Sequence, residues 1–206
     1  MKHEWLRFPL HVMVRPFDGF WDLKYENKGR SGVAAAIVVL LILSVTVQKQ
    51  LSGFLVNFND PRYLNSIDEL KYVLLPFLLW CLANWSVTTL LDGEGRLQEI
   101  AVVAAYSLLP LVVVYLPTTF LSNIMTNEET AFYYLLNSFA GLWFVWLLFV
   151  GTMTVHQYTA AKTIVTMLLT LIVMAVIVFL GMLVFSLIQQ IIGFGYNIYY
   201  ELIFRN

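Results

Sequence analysis

The sequence predicts an all-α, polytopic membrane protein with five transmembrane helices and an N-terminal interfacial amphipathic helix. Hydrophobic residues make up 60% of the 206 residues, and the mean hydropathy is +0.76. Charged residues make up only 12%, about half the ~25% typical of a soluble domain. So many apolar side chains cannot fit inside one soluble core of this size. The bilayer must therefore solvate much of the surface.

Residues 1–30 are expected to form a cytoplasmic N-terminal segment of the mature protein, because their scattered charges do not match a cleavable signal peptide. This segment holds six of the twelve Lys and Arg residues. Pro16 suits the first position of a helix. Aromatic side chains then recur on one helical face: Phe17, Phe20, Trp21 and Tyr25. An aromatic face backed by charges is typical of a helix that lies in the membrane interface.

Three roles remain open for this aromatic helix. It lies in the interface, packs against the protein's own spans, or presents Phe17, Phe20, Trp21 and Tyr25 to a protein partner. Aromatic residues are enriched both at headgroup level and at protein interfaces, so their presence alone does not separate these roles.

Residues 31–190 are expected to form the five-helix transmembrane domain, followed by a short aromatic C-terminal tail, 191–206. The expected spans are Ser31–Gln48, Tyr72–Leu91, a stretch from after Glu99 to near Ser122, a stretch within Phe132–Val155, and one from Thr163 to about Ile188. Pro110 is expected to kink the third span. Between the first two spans, Asn59-Asp60-Pro61 indicates a turn, and Ser66 with Glu69 indicates a capping box.

Basic residues near the ends of the spans predict the orientation. A cytoplasmic N-terminus places eight basic residues inside: six from the first segment, Arg96 and Lys162. About four remain outside: Lys49, Arg62, Lys71 and Arg205. The positive-inside rule thus favours a cytoplasmic N-terminus and an external C-terminus.

The sequence lacks the residues on which most membrane enzymes and ion-coupled carriers depend. No charged residue lies near the middle of an expected span, although such residues mark proton and ion pathways. No metal-binding motif is present, the one cysteine is Cys81, and the net charge of −1 gives no support to nucleic-acid binding. We therefore expect no enzymatic activity, no cofactor, no metal and no nucleic-acid partner.

Two polar features within or beside the spans have structural interpretations. Asn84 and Asn137 are expected to form hydrogen bonds between helices. In the turn Asp92-Gly93-Glu94-Gly95, the glycines are expected to supply unusual backbone angles in a tight, solvated turn. The alternative for this turn is a cation site formed by its two carboxylates.

Three stretches resemble the Yip family of small polytopic membrane proteins (Rab/Ypt-interacting-protein-like), in its bacterial branch. The first is the turn Asp92–Glu99 leading into Ala105–Pro110, similar to the family's glycine-containing turn and following Tyr-x-x-x-Pro helix. The second is Trp143–Lys162, similar to the family's fourth span and the turn after it. The third is Arg15–Trp21, an aromatic stretch before the spans. The longer acidic or Tyr/Gly-rich regions of the eukaryotic branch are absent, which removes support for a Rab-type partner.

The resemblance implies five helices, a cytoplasmic N-terminus and no known enzymatic centre. It assigns a structural role to a set of motif residues: Asp92, Gly93, Gly95, Tyr106, Pro110 and His156. Family members are usually regarded as membrane adaptors, and some bacterial members resemble companions of multi-subunit transporters.

Two hypotheses of function follow. The first is a membrane adaptor in the bacterial plasma membrane, an accessory subunit whose partners are the bilayer and other integral membrane subunits, such as transporter permeases. The second is a stand-alone transport protein for a neutral solute or lipid. Pro76, Pro110 and Pro117 are compatible with the interrupted helices of carriers, but five spans do not divide into two equal repeats.

Overall fold

The computed structural model describes residues 4–26, 28–58 and 66–204, and the regular structure of these ranges is helical. The helices are α1 Glu4–Val14, α2 Pro16–Tyr25, α3 Ser31–Leu51, α4 Ser66–Leu90, α5 Leu97–Ser107, α6 Leu109–Leu121, α7 Thr130–His156 and α8 Ala160–Phe204, with a 3-10 turn at Asn127–Glu129. The predicted turn Asn59-Asp60-Pro61, Arg62 and Arg205 lie outside the described residues. The side chains of Ser66 and Glu69 also lie outside what is described, so the capping box stays a prediction.

The prediction of five membrane-spanning helices is confirmed. The helices long and apolar enough to cross a bilayer are Ser31–Leu51, Leu70–Leu90, Leu97–Leu121, Asn127–His156 and Ala160–Glu201. The third, made of α5 and α6, is the central one: 61% of its most apolar window is buried, against 28% for each of the first two spans.

The third span is interrupted where Pro110 predicts a kink. Helix α5 ends at Ser107 and α6 begins at Leu109, because the proline nitrogen has no hydrogen to donate to the carbonyl one turn earlier. Tighter bonds replace the α-helical ones across the break. The Leu108 N–H donates to the Ala105 carbonyl at 3.1 Å, and the Leu111 N–H donates to the Leu108 carbonyl at 3.1 Å.

Helix α8 is longer than the sequence suggested. It continues from Ala160 to Phe204, 45 residues, instead of ending near Ile188 before a separate tail. In the sequence, the polar residues Gln189 and Gln190 suggest the end of the span. No proline follows them, however, and apolar side chains resume at Ile191. At 1.5 Å per residue, the helix is about 68 Å long, roughly twice the thickness of the hydrocarbon layer.

The N-terminal segment forms two helices, of which α1 was not predicted. Helix α1 packs against α2, and α2 packs against α7. The two short helices approach most closely at Gly19, where an added Cβ would lie 2.6 Å from the Cα of Val12. A glycine is needed here for space.

Helix α8 packs mainly against α4 through a line of buried polar side chains. Thr163, Thr166 and Thr170 lie on one face of α8 and are fully buried. The Asn84 side-chain amide donates to the Thr170 hydroxyl at 3.2 Å. Asn137 likewise accepts a bond from Gln48 of α3 at 3.2 Å. Both asparagines thus form the interhelical hydrogen bonds predicted from the sequence.

Candidate functional site

The motif residues of two separate turns meet at one end of the bundle, together with the end of α2. We call this set the turn cluster: residues 92–95 of the α4–α5 turn, residues 156–158 of the α7–α8 turn, and Lys24 and Tyr25 of α2. By the predicted orientation, this end of the bundle faces the cytoplasm.

Helices α4 and α7 both end, at the turn cluster, in a residue with a left-handed φ angle. Asp92 and Gln157 follow the last helical turns and have left-handed φ angles of 55° and 54°. In each case the next residue donates its N–H to a carbonyl five positions earlier, at 2.8 Å after α4 and 3.0 Å after α7. This arrangement satisfies carbonyl groups that the helix end would otherwise leave unpaired.

The glycines of the α4–α5 turn serve a different purpose from the one expected. Neither Gly93 nor Gly95 adopts a positive φ; Asp92 takes the left-handed conformation instead. Both glycines lie against His156. A Cβ added at Gly93 would be 2.6 Å from His156 Nδ1, and one added at Gly95 would be 2.5 Å from His156 Cε1. The expectation of unusual backbone angles was wrong, because the constraint at these positions is space.

His156 is the buried centre of the turn cluster. Its side chain is 2% exposed, and its Nδ1 accepts a hydrogen bond from the Gly95 N–H at 3.2 Å. Its ring stacks on Tyr158, with centroids 5.3 Å apart and planes inclined by 24°. Because Nδ1 is the acceptor, a neutral imidazole carries its proton on Nε2. That buried nitrogen has no hydrogen-bond partner among the described residues, and the ring borders a cavity of about 10 Å³.

Tyr158 joins the two turns directly. Its hydroxyl donates to the Leu91 carbonyl at 3.0 Å, which ties the end of α7 to the end of α4. The Lys162 ammonium lies 4.1 Å from the centroid of the Tyr158 ring, within the range of a cation–π interaction. Burial raises the pKa of Tyr158, and the negative charge of Asp92 raises it further.

Lys24 connects α2 to both turns. Its ammonium donates to the Val155 carbonyl at 2.6 Å and forms an ion pair with Glu94 at 3.1 Å. A cation at this carbonyl also complements the negative end of the α7 dipole. The side-chain amide of Gln157 donates to Glu94 at 2.8 Å and to the Tyr25 hydroxyl. Together these contacts fasten the N-terminal helices to the bundle.

The structure brings four of the six motif residues together. Asp92, Gly93, Gly95 and His156 lie in the turn cluster. Tyr106 and Pro110 do not; both are buried farther along the third span, where Tyr106 makes an edge-to-face contact with Phe8 at 5.8 Å between centroids.

Three further residues of the turn cluster were not assigned to a site from the sequence: Lys24, Gln157 and Tyr158. These residues meet although they lie far apart in the sequence: Lys24 contacts Val155, which is 131 positions away. The sequence indicated only the local structure around each of these residues. Lys24 stands in the last turn of an expected helix, and Gln157 and Tyr158 stand in an expected turn.

The aromatic face of α2 is divided by the fold. Phe20 is fully buried, and its ring contacts the position where a Cβ on Gly151 would stand, at 3.2 Å. It therefore belongs to the core and cannot dock a partner, which corrects the assignment of all four aromatic residues to one docking face. Phe17, Trp21 and Tyr25 are exposed, at 51%, 54% and 40%. Phe17 also makes an edge-to-face contact with Trp146 of α7.

The turn cluster has the chemistry of a structural junction. Among the described residues, no group of three or more His, Cys, Asp or Glu side chains is placed to hold a metal ion. Glu94 is engaged by Lys24 and Gln157, so the turn's carboxylates do not form an open cation site. The cluster instead fixes the positions of three helix ends relative to one another.

Comparison with protein families identifies the chain's relatives. The Yip1 domain model matches residues 10–183, more than four fifths of the chain. The chain belongs to the Yip1 family. The Yip1 match includes α2, the whole turn cluster and the first half of α8, and it ends before the last 21 described residues of that helix. No match was found among curated proteins or among solved structures.

Proposed function

We propose that this Yip1-family protein is a non-enzymatic integral membrane adaptor, an accessory subunit of a larger complex in the bacterial plasma membrane. Its N-terminus lies in the cytoplasm and its C-terminus outside, and its partners are other integral membrane subunits, such as transporter permeases. The observation that supports this most strongly is the end of α8, residues 189–204, which we call the distal segment.

The distal segment extends past the helix that α8 packs against. Asn84 bonds to Thr170, while Leu75 lines a groove with Gln189, so α4 and α8 run in opposite directions. Both helices rise equally per residue. The first residue of α4, Ser66, is therefore level with about residue 188 of α8. The sixteen residues beyond that point add roughly 24 Å of helix.

The distal segment is apolar and exposed. From Val178 to Phe204, every described side chain is exposed, and Phe194 and Tyr199 are 68% and 62% exposed. Inside a bilayer such a surface faces lipid at no cost. Beyond the hydrocarbon layer, a contiguous apolar surface marks an interaction site. A partner subunit that covers the distal segment accounts for its composition.

A second exposed surface supports the same role. Phe17, Trp21 and Tyr25 lie at the opposite end of the bundle, on a helix that the turn cluster holds in place. Aromatic side chains on a rigid element bury much area with little loss of entropy, as interface residues do. An adaptor with contact surfaces at both ends can bind partner subunits on both sides of the membrane.

The test is purification of the tagged, full-length protein from its own membrane in mild detergent, with the ratio of copurified membrane proteins measured by mass spectrometry. We expect a partner at a fixed ratio, and we expect Phe194→Asn with Tyr199→Asn to release it. The matched control is Phe58→Asn with Phe120→Asn, two exposed aromatic residues elsewhere. A protein without any fixed-ratio partner, or a partner retained by the distal-segment variant, contradicts the proposal.

The cytoplasmic surface is tested separately with Trp21→Asp. Phe20 is left unchanged, because its side chain is buried and its substitution would damage the core. We expect release of a cytoplasmic partner with no change in thermal stability. Loss of stability in the Trp21 variant would show that the ring supports the fold.

A further inference from the structure

The cavity beside His156 lies between helices α4, α5 and α7. It has a volume of about 10 Å³, and its lining includes Asn84, Val103, Thr152 and His156. We call it the histidine cavity. Its volume is about what one water molecule needs. Asn84, Thr152 and His156 are 1%, 4% and 2% exposed, so their polar groups must find partners inside the protein.

His156 brings a donor without an acceptor to the histidine cavity. Its Nδ1 accepts the bond from the Gly95 N–H, so in the neutral ring Nε2 carries the proton. Among the residues that the structure describes, Nε2 is the one buried side-chain nitrogen or oxygen without a hydrogen-bond partner. Leaving a buried donor unpaired is unfavourable. An acceptor is therefore expected in the cavity that the ring borders.

Asn84 and Thr152 bring acceptors to the same cavity. The Asn84 amide nitrogen donates to the Thr170 hydroxyl at 3.2 Å, which leaves the side-chain oxygen of Asn84 as an acceptor. The Thr152 hydroxyl donates its hydrogen to the Leu148 carbonyl at 2.8 Å, so toward the cavity it can only accept. These two side chains and His156 thus offer one donor and two acceptors. A water molecule complements this set, because it can accept one hydrogen bond and donate two.

We propose that the histidine cavity binds one ordered water molecule. The water accepts the His156 Nε2–H and donates to the Asn84 side-chain oxygen and to the Thr152 hydroxyl. A bridging molecule is needed because no described residue bonds to Nε2 directly, and the cavity is too small for a larger one. The proposal stands independently of the adaptor function, since the lining of the cavity includes neither the distal segment nor α2.

The water connects the turn cluster to the contact between α4 and α8. His156 and Thr152 belong to α7, whereas Asn84 belongs to α4 and bonds to Thr170 of α8. A single chain of hydrogen bonds then runs from the Gly95 N–H through His156, the water and Asn84 to Thr170. The position of α8 is thereby coupled to the turn cluster.

The test is nuclear magnetic resonance of the full-length protein in detergent micelles, with nitrogen-15 in its histidines and no histidine tag. His3→Gln with His11→Gln leaves His156 as the only histidine, so its ring signals need no further assignment. We expect Nε2 to be protonated and its proton to give a cross-peak at the water frequency, with the sign of a through-space contact and not of proton exchange. The opposite tautomer, or no such cross-peak, would overturn the proposal.

Thr152→Ile tests whether the water lies in the histidine cavity. The new side chain removes an acceptor and adds a methyl group where the water would be, so the cross-peak should be lost. The matched control is Thr154→Ile on the same helix. The Thr154 hydroxyl makes an equivalent bond to the Val150 carbonyl at 2.8 Å but does not line the cavity, so the control should keep the cross-peak. A cross-peak that persists in Thr152→Ile places the water elsewhere and contradicts the proposal.

Thermal unfolding is measured first for both isoleucine variants. If Thr152→Ile does not fold, Thr152→Val takes its place, because valine has nearly the shape of threonine and removes only the acceptor. This variant should weaken the cross-peak relative to Thr154→Val. Equal cross-peaks in the two valine variants would count against Thr152 as a partner of the water.

Thr170→Val tests the connection to α8. It removes the acceptor of the Asn84 amide and should shift the Nε2–H signal of His156, although Thr170 does not line the histidine cavity. The matched control is Thr46→Val on α3, which removes a hydroxyl bonded to the Ile42 carbonyl at 2.9 Å and should leave the signal unchanged. An unshifted signal in Thr170→Val would refute the coupling of α8 to the turn cluster.

Discussion

Gly95→Ala tests whether the α4–α5 turn is held directly against His156. An alanine Cβ at this position would lie 2.5 Å from His156 Cε1 and 2.6 Å from Val155 Cγ1. Real Cβ atoms essentially never approach other atoms so closely. His156 cannot easily move aside, because it is buried and stacks on Tyr158.

The expected cost has two sources. Forcing a methyl group into packed surroundings costs about 1–3 kcal/mol. A shift of the turn also weakens the bond from the Gly95 N–H to His156 Nδ1, worth about 0.5–1.5 kcal/mol. Because the φ angle of Gly95 is not positive, no conformational penalty is added. We expect a loss of about 2–4 kcal/mol, which corresponds to roughly 5–15 °C in Tm for a chain of this length.

Thermal unfolding in detergent, followed by far-UV circular dichroism, measures the effect. Gly141→Ala is the matched control, because a Cβ there meets nothing within 4 Å and Gly141 lies inside α7. Alanine favours a helix over glycine by about 1 kcal/mol, so this control should be neutral or slightly stabilised. If Gly95→Ala is as stable as Gly141→Ala, the turn does not pack on His156 as described.

Three further predictions concern stability. Gly19→Ala should cost about 1–3 kcal/mol, because its Cβ would meet the backbone of Val12; a Tm equal to that of the unmodified protein contradicts this packing. Thr170→Val should cost about 0.6 kcal/mol through the lost bond from Asn84, measured by unfolding in mixed detergents; no change would show that the bond contributes nothing. Because burial raises the pKa of Tyr158, stability should fall as pH rises above the unfolded value of about 10, and Tyr158→Phe should reduce this fall in alkaline titrations of Tm; an unchanged profile would exclude Tyr158 as its source.

The five spans and the break in the third could be predicted because both depend on local sequence. Hydropathy over about 20 residues decides whether a helix crosses the bilayer. Pro110 removes one backbone N–H from its helix, although Pro76 and Pro117 do the same inside helices that stay unbroken. The continuation of α8 beyond Ile188 was not predicted because Gln189 and Gln190 are polar, although two polar residues without a proline do not stop a helix.

The turn cluster could be predicted only as separate pieces. The sequence indicated both turns and the importance of His156, but Gly95 and His156 are 61 positions apart. Their contact depends on how α4, α5 and α7 pack. The same applies to Phe20, since spacing places it among the aromatic residues of α2 but does not show which edge of that face meets α7.

The position of α8 gives it the geometry of a lever. Its fully buried side chains end at Thr170, and its last half-buried one is Ile177, about 40 Å before its far end. A tilt of about 10° at the contact with α4 would therefore displace that end by roughly 7 Å. The buried residues Thr163, Thr166 and Thr170 would be the point about which the helix tilts. By the predicted orientation, a small change of side-chain packing at the cytoplasmic end of α8 would move its far end on the opposite side of the membrane.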